Sequence, residues 1–283
     1  MYTAYWNLKG NPFLNAIDRR YLFAGDQHEE AIARLAFIAE SGRLAGALTG
    51  PGGVGKTTVL SNVAATIKAR YHLPILRLDS VPDGHLPLTR HILATLKLDA
   101  TARTLPEALM QFQSLAEMRT DSPLRTVLLI DDAQYLVAGP GIHFLRYLVN
   151  LRIPNRITQA EEPLFTLILA GTPELLPAIQ ADPAFAQLLQ IFFRLDPLSD
   201  AQTTAYVQHH MRAVGGDIWS FDRPALEAIW CYSGGLPRRI NLLCDAALML
   251  GFAAKATQVS AALVEQAARD TSLSPLCPSE YAP

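Results

Sequence analysis

The stretch "GALTGPGGVGKTTVL", Gly46 to Leu60, constrains the fold more than any other part of the chain: four glycines and a proline separate two apolar runs and end on a lysine and two threonines. Gly50 through Thr57 fit the spacing G-x-x-x-x-G-K-[ST], after a strand-like run and before a helix-like one, where a phosphate-wrapping loop has to sit. Glycines admit positive φ and leave backbone N–H groups room to surround an anion, and the following helix aims its positive dipole end at the same place. Gly50, Pro51, Gly52, Gly53, Val54 and Gly55, with Thr58 beyond them, are therefore expected to cradle a nucleotide phosphate chain. Lys56 is expected to neutralise the β and γ oxygens and the Thr57 hydroxyl to ligate Mg²⁺. Val59, Leu60, Val63 and Ile67 recur at the spacing that seats the helix on a sheet.

A loop of this kind needs a parallel sheet around it, and the chain supplies the strands. From Leu44 to Leu195 the runs "LAGALTG", "LPILRLDS", "RTVLLIDD", "LFTLILAG" and "QIFFRLDPL" alternate with helical patterns, which predicts an α/β P-loop sheet covered on both faces. "TLPEALMQFQSLAEM" reads as a crossover helix opened by a capping box between Thr104 and Glu107, with Leu105, Leu109, Phe112 and Leu115 on one face. After Pro197 strand-like runs vanish. A second capping box, Ser199 with Gln202, opens a helical region broken at Gly215-Gly216 and Gly234-Gly235. The expected organisation is an N-terminal segment over 1–43, an α/β core over 44–197, a helical lid over 198–270 and a disordered tail over 271–283.

The run "TVLLIDD" leads four apolar residues into Asp131 and Asp132, at the strand end where open parallel sheets bind ligands. Asp131 is placed to accept the Mg²⁺ through water, and Asp132 to polarise an attacking water as general base. A net charge of −2 gives no global attraction to nucleic acid or anionic lipid, so any such contact must rest on a local patch; Arg146, Arg152 and Arg156 read either as such a patch facing DNA or as a solvated surface. Three cysteines form no C-x-x-C pair and no even set, which points to a reducing compartment. The opening "MYTAYWNLKGNPF" lacks the basic and apolar order of a leader, and no apolar run reaches about 18 residues, so a cytoplasmic protein with no integral membrane segment is expected. Trp6, Tyr21 and Phe23 read either as an adenine pocket or as core. His209 and His210 are consecutive on a helix and point apart, which argues against a shared metal.

Beyond the glycine loop, "NPF…DRRYLFAGDQHEEAIARL", "LLIDDAQYL", "LILAGTPEL" and "YSGGLPRRINLLCDAAL" together resemble the AAA+ ATPases of the ExeA/GspA type, and more distantly the transposition ATPases TnsC, TniB and MuB. The resemblance spans about residues 1–270. It implies an ATP- and Mg²⁺-dependent ATPase in which Thr172, at the end of the fourth run, senses the γ-phosphate and Arg238, opening a lid helix, reaches back to the nucleotide. It implies a ring or filament of identical subunits that ATP orders and hydrolysis resets, serving envelope secretion or pilus proteins, or alternatively binding DNA with a transposase and hydrolysing little. Two positions depart from the family pattern. Gln187-Leu188 stands where a Gln-Arg step supplies an arginine finger, leaving Arg194 as a substitute, and Asp132 stands where glutamate is common. Both departures imply slow turnover. A P-loop kinase is disfavoured because its lid would lie inside the core rather than after Ser199.

Overall fold

The computed structural model describes residues 2–14, 23, 25–79, 85–118, 125–137, 141–154 and 161–276. They form two compact units, one comprising Gln27–Gly50 and Lys56–Leu195, the other Met1–Asp26, Pro51–Gly55 and Asp196–Pro283.

The first unit is built on a five-stranded parallel sheet. Its strands are β1 (Ala45–Thr49), β2 (Ile75–Leu78), β3 (Thr126–Ile130), β6 (Phe165–Gly171) and β7 (Leu189–Arg194), in the order β2-β3-β6-β1-β7. Each of the five runs expected to be a strand is one. β1, β3 and β6 are buried at every residue, as apolar runs in the middle of a doubly covered sheet must be. β7, at the edge, alternates between half-buried and exposed. The helix Lys56–Tyr71 buries Val59, Leu60, Val63 and Ile67, the four residues its spacing nominates.

The crossover helix Leu105–Met118 buries Ala108 and Phe112, with Leu109 partly covered; the Leu115 side chain lies outside the described residues. Its capping box is only half made. The Glu107 N–H reaches the Thr104 hydroxyl at 3.4 Å, but the Glu107 carboxylate accepts from Arg103 N at 2.8 Å, one residue earlier than expected. A two-stranded antiparallel pair, β4 (Arg152–Pro154) with β5 (Glu161–Pro163), was not legible, because neither segment has an apolar alternation.

The second unit is helical. Helices Asp200–Ala213, Arg223–Ser233, Pro237–Ala253 and Ala261–Asp270 close around Met211, Phe221, Ile229, Leu243 and Leu248. Ser199 and Gln202 make the reciprocal capping box in full, and Gly234 caps the helix Arg223–Ser233 at φ +59°, a conformation glycine adopts without steric cost. Trp6 and Phe13, from the N-terminal segment, belong to the same core; Trp6 donates its indole N–H to Leu248 O at 2.9 Å. Trp6 is thus a core residue. Phe23 packs edge-on against Tyr206 and His209, while Tyr21 lies outside the described residues. Of the expected tail, Ser274 O accepts from Arg239 and Leu276 N donates to Cys231 O, both near 3.0 Å; residues 277–283 are not described.

Candidate nucleotide site

The sheet unit brings its polar residues to the ends of three adjacent strands. β1 stops at Thr49, where Leu195 N bonds its carbonyl at 2.8 Å, and Gly50 turns the chain into the loop. Lys56 is buried and its Nζ donates to Gly50 O at 2.7 Å, so the lysine folds back over the loop's first residue. The Thr57 hydroxyl donates to Asp131 Oδ2 at 2.6 Å. Asp131 is buried at the end of β3, and its other oxygen accepts from Asp132 N at 3.0 Å. Sequence positions 57 and 131 thus meet where a metal would be held.

Asp132 leaves the strand in the left-handed region, φ +50°, which Asp tolerates better than most residues, and its side chain is exposed. The turn re-aims the chain into the short helix Gln134–Val137. Thr172, one residue past β6, is half-buried. Two residues that sequence reasoning did not single out join them. Gln134 receives Thr172 N on its side-chain oxygen at 3.1 Å and donates its amide to Asp132 Oδ1 at 3.3 Å. The Glu174 carboxyl is held below its ordinary range by a hydrogen bond from the Thr172 side chain, then by its own backbone N–H and by the charge of Lys56. "LLIDDAQYL" and "LILAGTPEL" contain both residues, but only three-dimensional proximity marks them.

In the helical unit, the loop residues Pro51–Gly55 include a turn with Val54 N donating to Pro51 O at 3.4 Å. Gly53, at φ +84°, accepts from Arg238 N at 3.2 Å through its carbonyl. A Cβ on Gly53 would come 2.9 Å from Arg238 Cβ, so this approach requires glycine. Gly55 is also left-handed, at φ +110°. Arg238 follows Pro237 at the N-terminus of a 17-residue helix with an exposed side chain. A cation there is disfavoured by the helix dipole and is stabilised by an anion.

The donors suit a nucleotide and Mg²⁺. A hydroxyl and a carboxylate 2.6 Å apart provide the small protein contribution with which Mg²⁺ is held when phosphates and waters supply the remaining oxygens. Among the described residues there is no cluster of three His, Cys, Asp or Glu that would bind a metal unaided.

Several other candidates make structural contacts. Arg146 approaches both oxygens of Asp182 at 3.4 Å, Arg152 donates to Val149 O at 2.8 Å, and Arg156 is outside the described residues. Both described arginines of the patch suggested by the sequence thus have partners while staying half-buried. Leu188 packs partly buried against the sheet core, and Arg194 is exposed at the end of β7. His210 bonds Pro12 O through Nδ1 at 2.7 Å and stacks on Phe13, a packing role.

A parallel sheet with a glycine loop at the end of β1 and carboxylates at the end of β3 defines a P-loop protein, with a helical region following the sheet. An AAA domain family model matches residues 39–179. The General secretion pathway protein A of Aeromonas hydrophila is 31% identical over 258 residues, which is 89% of this chain and 45% of that protein. The chain belongs to the AAA+ ATPase family, of the ExeA/GspA type. It spans less than half the length of the curated relative it matches. Solved structures agree on the fold: Cdc6p of Pyrobaculum aerophilum (TM-score 0.68, 15% identity, 92% of this chain and 70% of that one) and ORC2 of Aeropyrum pernix in ADPNP–ADP complexes (0.66, 16%, 93% and 74%). RuvB of Thermotoga maritima matches less closely (0.57, 17%, 88% and 70%). Among the described residues no helix is long and apolar enough to cross a membrane.

Proposed function

We propose that the chain binds ATP with Mg²⁺, hydrolyses it slowly, and acts as a nucleotide-dependent assembly switch in an envelope secretion or pilus machine, working from the cytoplasm. The observation that carries this reading is the 2.6 Å bond between Thr57 and Asp131, which joins the loop helix to the neighbouring strand end around a pair of oxygens suited to a phosphate-bound cation. The envelope role rests on the name of the secretion relative. No observation favours the DNA-coating alternative: Arg146 and Arg152 already have partners within their own unit.

In this reading Gly50, Pro51, Gly52, Gly53, Val54, Gly55 and Thr58 surround the phosphates with backbone and hydroxyl donors, and Lys56 exchanges its bond to Gly50 O for the β and γ oxygens. Thr57 and Asp131 would hold Mg²⁺, which when bound would supply positive charge beside the phosphate oxygens. Asp132 takes the proton of the attacking water, Thr172 senses the γ-phosphate, and Arg238 reads the nucleotide from the lid helix. The exposed carboxylate of Asp132 and the leucine at 188 account for slow turnover, since an arginine finger is worth about 10³–10⁵ in rate in other phosphohydrolases. Installing arginine at 188 would also sacrifice packing.

Lys56→Ala tests the site. At about a hundred times the dissociation constant, ATP·Mg²⁺ should stabilise the wild type by about 2.7 kcal/mol, and the variant should show none of that shift in a thermal melt. A full shift in the variant would overturn the assignment. Sedimentation with no nucleotide, ADP and ATP tests the switch: ATP is expected to give the largest species. Three identical profiles would remove the assembly role and leave the binding site intact.

A further inference from the structure

Gln134 has no role in the scheme above, yet it touches two groups that do. Its side-chain amide donates to Asp132 Oδ1 at 3.3 Å, and its carbonyl accepts from Thr172 N at 3.1 Å. The residues it joins lie at the ends of adjacent strands, β3 and β6, and 38 positions separate Gln134 from Thr172 in sequence. Space for the bridge is reserved: a Cβ on Gly171 would stand 2.6 Å from Gln134 Oε1. A backbone bond from Ala133 N to Ala170 O at 2.8 Å joins these two strand ends, and one from Gly50 N to Gly171 O at 3.2 Å ties the end of β1 to the end of β6. A closed path therefore runs from the loop through Gly171 and Thr172 to Gln134, on to Asp132 and Asp131, and back through Thr57 and Lys56 to Gly50.

We propose that Gln134 is a positioning residue that couples the γ-phosphate sensor to the general base, a proposal that rests on the reading of Asp132 as that base. Asp132 is exposed and turned into the left-handed region, so its own packing does little to hold its carboxylate in one direction. The Gln134 amide supplies that direction, and the direction depends on where the Thr172 peptide sits. A γ-phosphate that draws Thr172 toward itself carries Gln134 along and aims Asp132 at the water. In the step so aligned, the water oxygen bonds to the γ-phosphorus and the bond from phosphorus to the β–γ bridging oxygen breaks, its electron pair leaving with ADP. The proton lost by water passes to Asp132. With ADP alone there is nothing to draw Thr172, and the base stays unaligned.

The test is a double-mutant cycle on the full chain with ATP·Mg²⁺, reading single-turnover rate, steady-state kcat and ATP dissociation constant by calorimetry. Gln134→Ala is expected to lower kcat about tenfold or more, the scale of a misaligned reacting group, with ATP affinity held within about twofold. Gln134→Glu keeps the length and the acceptor toward Thr172 N but cannot donate to Asp132; it should fall as far, and serves if the alanine variant is unstable. In an Asp132→Asn background, either Gln134 substitution should cause no further loss, because its effect passes through Asp132. Retention of kcat within about twofold in both Gln134 variants would overturn the proposal, as would full multiplication of the Gln134 and Asp132 effects. An Asp132→Asn enzyme that turns over at the wild-type rate would overturn the base assignment itself, and is recognised without any Gln134 variant.

Discussion

The two units bury polar groups for different ends. In the sheet unit Lys56 and Asp131 are buried at the mouths of strands that are apolar apart from one threonine each, and their partners, a loop carbonyl and a hydroxyl, are ones that phosphate or metal could replace. In the helical unit His210, Tyr206 and Asn241 are buried with fixed partners: His210 holds Pro12 O, and the Tyr206 hydroxyl donates to Asn241 at 3.0 Å. Burial pushes the Tyr206 hydroxyl far above its usual range. Exchangeable partners mark a binding site; fixed ones tie chain segments together. The first unit should therefore lose function before stability on substitution, and the second stability before function.

The largest expected effect lies in the helical core. Leu243 is fully buried there, and Leu243→Ala should cost about 2–5 kcal/mol of unfolding free energy in a denaturant titration while leaving ATP affinity per folded molecule unchanged. Loss of affinity with no loss of stability would break the comparison.

Next comes the pH response of His210. Burial, opposed by its bond to Pro12 O and reinforced by neighbouring His209, lowers its pKa from 6.5 to about 4. The folded state keeps the ring neutral while the unfolded chain takes up a proton near 6.5. Stability from this group is therefore complete above pH 6.5, lost as pH falls toward about 4, and constant below that, with a span on the order of 3 kcal/mol. Denaturant midpoints between pH 7.5 and 4.5 should show the decline, and His210→Gln should remove most of it. A variant declining as steeply as the wild type would show that the histidine is not the cause.

The smallest effect is sought in the sheet unit. Asp131→Asn should lower turnover about 10–100-fold, as for a residue acting on the metal through water, with melting temperature unchanged or raised. A large drop in stability would mean that Asp131 is a structural group like the buried polar residues of the helical unit.

Strand and helix placement in the sheet unit was readable because an apolar run that must be buried on both faces has few alternatives to a central parallel strand. The loop was readable because its glycines and lysine are consecutive. Trp6 had two readings, and its packing decided between them; the bond to Leu248 joins residues 242 positions apart. Leu188 was assigned to the finger position by resemblance, and its partial burial against the sheet core is a fact of packing. The same holds for Arg146, whose carboxylate partner Asp182 lies on a different segment.

By itself the sequence determined which five runs become the parallel sheet, where a glycine loop follows the first of them, and which residue types stand ready for phosphate, metal and water, since these follow from local period, backbone freedom and side-chain chemistry. Only the tertiary structure decided that Asp132 turns left-handed out of its strand, that Gln134 spans from it to Thr172, and that Gly53 accepts the first turn of the Arg238 helix. The last two depend on hydrogen bonds of about 3 Å between groups far apart along the chain, Thr172 N to Gln134 and Arg238 N to Gly53 O, whose geometry exists only after the strands have registered and the helices have packed.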